Sequence, residues 1–472
     1  MRALTLIGCS VFALLSDQLA AADRSSTLPP PADQQLAREL FREMIETRTT
    51  HDVGSTALAE AIKAHLISGG FSAQDVVFIA PEDHPQKGNV IVRYRGRGKA
   101  KPVLFLAHLD VVEAKSEDWT VEPFKLTEKD GFFYGRGTID MKQGATGLLE
   151  SLLRLKREGF VPERDIIAAF TADEEAGGDA NGPAFLLKQH RELIDAALAV
   201  NLDIGGGNYK DGKRLYYEIG TAEKTYVTFT IETTSPGGHG SLPGPDNAIY
   251  RIAKVLSRLE AYKFPVMLTD TTRASFEHFA TLDPGPESAD MKAVAKNPPD
   301  QAAAERLSEI VRLNAQLRTT CVATLVSGGH AENALPQRAR AKIQCRMMPG
   351  DTAEHVQAQL VNTFAEPSVT VALDAQPIVS PESAPTPQIM NKATAVVHSM
   401  WPGVTLVPVM STGFSDSRQT RNAGLPTYGL GGTWSDIDEN RAHGRDERIG
   451  VQAFDESVEY IFRLVREMSK AK

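Results

Sequence analysis

Cysteine is scarce in this chain: three residues in 472. That excludes a small scaffold built from disulfides. Basic residues are not in excess either. Lys and Arg number 51 against 60 Asp and Glu, a net charge of −9. A nucleic-acid surface normally needs clustered Lys and Arg, so the balance argues against that class of partner. There is no G-x-S-x-G elbow, and Gly238-His239-Gly240-Ser241 does not supply one, which leaves a serine hydrolase with little support. Internal repeats and long low-complexity segments are also missing. After the first residues, no apolar run approaches the roughly 20 residues that span a membrane. What is present is 42% hydrophobic and 24% charged residues, the composition of a soluble globular protein. At roughly 150 residues per domain, two or three domains are expected.

The N-terminus reads as a targeting signal. Arg2 precedes an apolar stretch from Leu4 to Leu15, and the small residues Ala20-Ala21-Ala22 follow. A basic start, a short apolar stretch and an A-x-A-like site describe a secretory signal peptide over residues 1–22, with cleavage near Ala22. A membrane anchor would need a longer run, and Asp17 interrupts this one. Leu6-Ile7-Gly8-Cys9 looks like a lipobox, but processing there would leave a very short signal. The mature chain is therefore expected to be soluble, with no membrane segment, and secreted or periplasmic. Removing the signal leaves Cys321 and Cys345 on two apparent strands, Thr320–Ser327 and Arg338–Arg346. An oxidising compartment permits a bridge between them, and two buried thiols fit the spacing equally well.

Apolar periodicity suggests helices over Gln35–Ile45 and Ala57–Ile67, then alternating strands and helices. Val76–Ala80, Asn89–Tyr94, Val103–Ala107, Ile166–Thr171 and Leu198–Leu202 read as strands, and Ala145–Leu155 and Ala184–Leu193 as helices. The Val103–Ala107 run is apolar throughout, as suits a central strand covered on both faces. The α/β class follows. From Thr225 the pattern changes to a strand–helix–strand–strand–helix–strand plan: Thr225–Glu232, Ala248–Tyr262, the two cysteine strands, Thr352–Phe364 and Ser368–Leu373. That is a small α+β domain. The polar stretch Phe264–Arg318 suggests only short helices. From about Glu382 the first pattern returns, with strands Val404–Met410 and Thr427–Leu430 and a closing helix, Val451–Met468.

The chemistry-bearing residues sit at strand ends. His108 and Asp110 follow the strand Val103–Ala107, on one side of an extended chain. His108 can bind a metal through one ring nitrogen while Asp110 accepts a hydrogen bond from the other and fixes the tautomer. Asp140 precedes a helix, where a simple N-cap would serve. Asp173-Glu174-Glu175 closes the strand Ile166–Thr171; three adjacent carboxylates repel unless a cation or solvent relieves them. Asp203 ends the next apolar strand, and His443 lies in a charged loop, Arg441–Glu447. Each alone has a structural explanation: a cap, a solvated loop, an exposed His. Together they form two His and several carboxylates, most at the carboxyl ends of strands, the edge where open α/β sheets place their sites. Imidazole nitrogen and carboxylate oxygen suit Zn²⁺.

The motifs His108-Leu109-Asp110-Val111-Val112, Gly135-Arg136-Gly137-Thr138-Ile139-Asp140-Met141-Lys142 and Asp173-Glu174-Glu175-Ala176-Gly177-Gly178 occur in this order. They resemble the di-zinc exopeptidase family of glutamate carboxypeptidase, carboxypeptidase S, carnosinase-type dipeptidases and aminoacylase, over nearly the whole mature chain. Trp119 with Pro123-Phe124 leans towards the carboxypeptidase S-like branch.

The resemblance implies a doubly wound mixed-sheet catalytic domain over 23–220 and 377–472, interrupted by an α+β lid and dimerisation domain over 221–376. It implies two Zn²⁺ ions, with Mn²⁺ or Co²⁺ as alternatives. His108 and Asp203 would hold one, Glu175 and His443 the other, and Asp140 would bridge them through a cis bond to Met141. Glu174 would be the general base for a metal-bridging water. His239, in Gly237-Gly238-His239-Gly240-Ser241, would stabilise the oxyanion in the partner subunit of a homodimer. Asn333 would be a second lid contact. Arg346 would bind a substrate carboxylate, although a strand-surface ion pair explains it equally. Gly413-Phe414-Ser415-Asp416-Ser417-Arg418 departs from the family's usual Gly-Thr-Asp-type stretch and would line the substrate pocket. An acidic residue that many relatives carry after the first Asp or Glu is replaced at Ile204. The expected activity is amide hydrolysis in small peptides or N-acyl amino acids with a free carboxylate. A non-catalytic binding protein on the same scaffold and a single-metal deacylase are the alternatives.

Overall fold

The computed structural model describes residues 26–471 except 177, 179, 283, 284 and 440. The expected signal peptide and the Cys9 lipobox lie outside the described residues. Contacts divide the chain into two units. One runs through Ile219 and resumes over Thr386–Leu406 and from Leu425; the other is Gly220–Pro385 with Val407–Gly424. The second unit thus begins one residue before Thr221, extends beyond residue 376 to Pro385, and takes back a later segment. Part of the cause is that Leu406–Ser411 pairs with the strand Lys213–Glu223, whose far end belongs to the second unit.

The first unit is built on a mixed sheet. Its strands lie in the order Val76–Ile79, Asn89–Tyr94, Ile166–Thr171, Val103–His108, Leu198–Asn201, Thr427–Gly429, Lys213–Glu223, Gly206–Lys210 and Trp434–Asp436. Val103–His108 is parallel to both neighbours, pairing His108 with Thr171 and Leu106 with Asn201. Every residue of this strand is buried. Val103, Phe105 and Ala107 share one core with Leu148 and Leu152 of the helix Lys142–Arg157. Leu104 and Leu106 pack on the other face with Phe185 and Leu186 of the helix Gly182–Gln189. Alternate residues point to opposite faces, so one apolar run anchors both helical layers. The helix expected over Ala184–Leu193 breaks at His190, between Gly182–Gln189 and Arg191–Ile194. A small sheet of Arg448–Gly450, Phe132–Tyr134 and Thr127–Lys129, and the helix Pro387–Met400, complete features that periodicity did not single out.

In the second unit, Thr320–Gly328, Arg338–Met347, Thr225–Thr234 and Thr370–Leu373 form an antiparallel sheet in that order. Val227, Phe229 and Ile231 alternate with half-exposed Thr residues and bury against Ile252, Val255, Val356 and Leu360 of two helices. Side chains cap both helices: Asn247 accepts the Ile249 N–H at 2.9 Å, and Thr352 accepts the His355 N–H at 3.1 Å. Cys321 lies opposite Cys345 in the strand register, and the two are joined by a disulfide. The stretch 264–318 contains four helices around their own apolar cluster, including Phe276, Val294, Leu307 and Leu317. Among the described residues, no helix is long and apolar enough to cross a membrane.

Candidate metal centre

Three parallel strands of the first unit end side by side, and each carries a candidate ligand just at or beyond its last residue. His108 is the final residue of its strand. Glu174 and Glu175 follow Thr171, and Asp203 follows Asn201 by two residues. Asp140 stands before the helix Lys142–Arg157, and His443 lies between Trp434–Asp436 and Arg448–Gly450. The Asp140–Met141 peptide is cis.

The side chains converge. His108 Nε2 is 3.2 Å from Asp140 Oδ1 and 3.7 Å from Asp203 Oδ1. Asp140 Oδ2 is 3.0 Å from His443 Nε2, which is 3.0 Å from Glu175 Oε2. Asp140 therefore sits between two imidazoles, each with a second carboxylate of its own. Ligand atoms of His108, Asp140 and Glu175 all lie within 4.8 Å of one another. His108 is buried, and its Nε2 makes no hydrogen bond of good geometry despite those nearby oxygens. A buried ring nitrogen aimed at carboxylates without bonding to them fits a cation ligand. Two imidazoles and three carboxylates are also a donor set that suits a pair of divalent ions. The residues fit the group.

The electrostatics point the same way. Burial disfavours the His108 cation, but Asp140 and Asp203 outweigh it and hold the imidazole well above its ordinary value. Hydrogen bonding to Asp140 and Glu175 raises His443 to about 10. Burial pushes Glu175 and Asp203 up, opposed by His443 and His108 respectively. Burial would also raise Asp140, yet the two imidazoles hold it below the usual carboxylate range. The two imidazoles are the positive partners of these carboxylates, and a divalent cation would compete with their protons.

Asp110 differs from expectation. Its carboxylate lies 3.7 Å from His108 Nδ1, beyond hydrogen-bond range, whereas its main-chain carbonyl lies 3.1 Å from that nitrogen. The backbone carbonyl thus fixes the tautomer. The carboxylate instead accepts the main-chain N–H groups of Glu174 at 3.1 Å and Glu175 at 3.0 Å. It shapes the turn that carries the expected base and a ligand.

The remaining expected residues lie in the second unit. His239 pairs with Ala334 in a two-residue ladder, and the Gly240 N–H donates to the Asn333 carbonyl at 2.7 Å, which brings His239 and Asn333 together. The Ser241 N–H donates to His239 Nδ1 at 3.2 Å, so the neutral ring carries its proton on Nε2. Arg346 is half-buried beside Tyr226 and Phe414, and the Arg418 guanidinium lies over the Phe414 ring at 4.0 Å. Arg346 Nη1 and Arg418 Nε are buried without an acceptor. The surface ion pair considered for Arg346 is not formed among the described residues.

The comparisons with known proteins agree with this geometry. A model of peptidase family M20/M25/M40 matches residues 104–467. The chain belongs to the M20/M25/M40 peptidase family. It is similar to the zebrafish (Danio rerio) N-fatty-acyl-amino acid synthase/hydrolase PM20D1.1, with 30% identity over 386 residues, 78% of this chain and 72% of that protein. It is also similar to the probable carboxypeptidase S-like 2 of Dictyostelium discoideum, with 26% identity over 395 residues, 81% of this chain and 75% of that protein. The fold matches an M20 metallo-carboxypeptidase from Sulfolobus solfataricus with a TM-score of 0.67 at 16% identity, covering 92% of this chain and 99% of that one.

Two buried ion pairs beside the centre of this M20 chain escaped the sequence reading. Lys87 Nζ pairs with Asp173, and donates to the His51 carbonyl at 2.9 Å. It gives one of the three adjacent carboxylates a permanent cation. Arg136 Nη1 pairs with Glu447 Oε2 at 2.6 Å. Arg136 and Glu447 stand inside motifs already noted, but nothing in their spacing marks them as partners.

Proposed function

We propose that this M20 protein is an exported, metal-dependent amidohydrolase that cleaves N-acyl amino acids or small peptides with a free carboxylate. The observation that carries the reading is Asp140 placed between two histidine–carboxylate pairs, one of which includes Glu175, the residue after the buried Glu174. His108 and Asp203 would hold one ion and Glu175 and His443 the other, with Asp140 shared; zinc is the expected metal. When bound, such ions acidify water and polarise the scissile carbonyl. Glu174 takes a proton from the attacking water and delivers it to the leaving amine. Its main-chain N–H is held by the Asp110 carboxylate, which fixes the turn that carries it.

Across a homodimer, His239 would donate from Nε2 to the developing oxyanion in the partner subunit's centre, and Asn333 would be a second lid contact. Arg346, with unpartnered N–H groups and Arg418 nearby, receives the substrate carboxylate. The names of similar proteins support both the acyl-amino-acid and the peptide branch. Export is supported by the Cys321–Cys345 bridge, since disulfides persist in oxidising compartments. A homodimer is supported by the edge strand Thr320–Gly328, which exposes Val322, Leu325 and Val326.

The test is hydrolysis of a panel of N-fatty-acyl amino acids, N-acetyl amino acids and dipeptides, before and after chelation and with Zn²⁺ restored. Chelator-sensitive, metal-restored cleavage is expected. A chain that binds two metals and cleaves no member of the panel would favour a binding role instead.

A further inference from the structure

Asp140 and His443 belong to different loops, about three hundred residues apart in sequence, yet their side chains meet at 3.0 Å. Something other than the chain's local course must hold them together. The ion pair Arg136–Glu447 is placed to do so. Glu447 Oε1 accepts three main-chain N–H groups from the Asp140 turn: Gly137 at 3.1 Å, Ile139 at 2.8 Å and Asp140 itself at 3.2 Å. Its other oxygen takes Arg136 Nη1. Arg136 Nη2 then donates to the main-chain carbonyls of His443 at 3.3 Å and Gly444 at 3.0 Å. A bond to the carbonyl of Glu113, at 3.5 Å, completes that side. Both side chains are almost wholly buried, and the Trp119 ring covers the guanidinium at 5.1 Å.

The backbone shows why such bracing is needed. His443 has φ of +63°, in the left-handed region that side-chain-bearing residues seldom occupy. A residue stays there only when its surroundings over-determine it. The planar fork of Arg136 reaches the His443 and Gly444 carbonyls and Glu447 at once, which a lysine ammonium cannot reproduce. Neither Arg136 nor Glu447 touches a ligand atom of the centre.

We infer that Arg136 and Glu447 are positioning residues that hold Asp140 and His443 in register, and thereby determine retention of the metal ion on the His443–Glu175 side. The inference rests on the two-metal reading given above. Outer partners of metal ligands typically change affinity about 10- to 100-fold, and that is the expected effect on the ion of the His443–Glu175 side, with a smaller effect on the other ion through the shared Asp140.

The experiment measures Zn²⁺ stoichiometry and affinity on the full chain, by equilibrium dialysis against buffered Zn²⁺ with elemental analysis. Wild type, Glu447→Gln and Arg136→Lys are compared. The Arg154–Glu459 pair, also buried in the first unit at 2.8 Å but apart from the ligand loops, serves as control through Glu459→Gln. The expected result is one ion weakened about 10- to 100-fold in both test variants and the other weakened clearly less. The control should lose thermal stability while keeping both ions. Two ions held with wild-type affinity in folded Glu447→Gln and Arg136→Lys would overturn the inference. So would equal weakening of both ions, or failure of both test variants to fold, since each marks a general structural role. A wild type that binds no metal pair would instead overturn the two-metal reading itself.

Discussion

Replacing Asp110 by Asn separates two roles that one carboxylate could have. The carboxylate accepts the Glu174 and Glu175 N–H groups at 3.1 and 3.0 Å and is buried. An Asn carboxamide offers one oxygen to one N–H and turns its own NH₂ towards the other. One charge-assisted bond, worth about 1.5–3 kcal/mol, is weakened, and one buried N–H loses its acceptor at a cost of about 1–3 kcal/mol. Allowing for overlap, the turn loses about 2–4 kcal/mol of support. If that support is what aims Glu174, kcat should fall about 30- to 1,000-fold. KM should change little, because substrate-binding groups are untouched. Zn²⁺ binding at His108 should persist, because the Asp110 carbonyl still orients the ring at 3.1 Å. Steady-state kinetics at saturating Zn²⁺, with metal content measured on the same sample, decides the matter. A variant with wild-type kcat and a weakened metal would refute this reasoning and return the tautomer role to the carboxylate.

Three other outcomes are expected. Glu174→Ala should keep both metals and lose at least about 10²–10⁴-fold in kcat; metal titration and turnover on one preparation test this, and retained activity would remove Glu174 as the base. The Cys321–Cys345 bridge closes a 24-residue separation, which in the chain-entropy model contributes about 3.5 kcal/mol; the double Ser variant should unfold at correspondingly lower denaturant, and an unchanged midpoint would contradict it. Burial raises Glu150 from 4.5 to about 8. Its folded form therefore binds a proton that the unfolded form releases, so its contribution is present below pH 4.5 and lost as pH rises towards 8. Glu150→Gln should accordingly stabilise most at pH 8–9, by at most about 5 kcal/mol from 1.4 kcal/mol per unit, and hardly at all near pH 4. Equal stabilisation at both pH values would refute this.

The legible parts of the fold were those where one physical signal dominates. Asn89–Tyr94 and Ile166–Thr171 have the expected bounds because they are short, apolar and flanked by polar turns. The closing helix Val451–Met468 also matches, carried by a long apolar stripe. Lys213–Glu223 was not legible: charged residues fill its exposed start, and Gly220 weakens its strand signal. Candidate ligands at strand ends were readable because a local feature, an apolar strand followed by His, Asp or Glu, marks them. The supporting residues were not. Lys87 is 86 residues from Asp173, and Arg136 is 311 from Glu447. Each looks like an ordinary charge until the fold buries it against its partner.

The same contrast explains how the site stays available to a cation. Six carboxylates crowd the strand ends: Asp110, Asp140, Asp173, Glu174, Glu175 and Asp203. The chain gives some of them permanent partners. Lys87 neutralises Asp173, and main-chain N–H groups occupy Asp110. Asp140, Glu175 and Asp203 receive no Lys or Arg among the described residues; their positive neighbours are His108 and His443. That division follows from chemistry. A guanidinium or ammonium beside a ligand carboxylate would compete with a metal at every accessible pH. An imidazole, unlike either, can give its proton up to an arriving metal and become a ligand itself. Strong fixed cations shape the turns, and titratable ones share the centre. The arrangement keeps the scaffold's charge compensated while leaving three carboxylates for an ion that the protein does not itself supply.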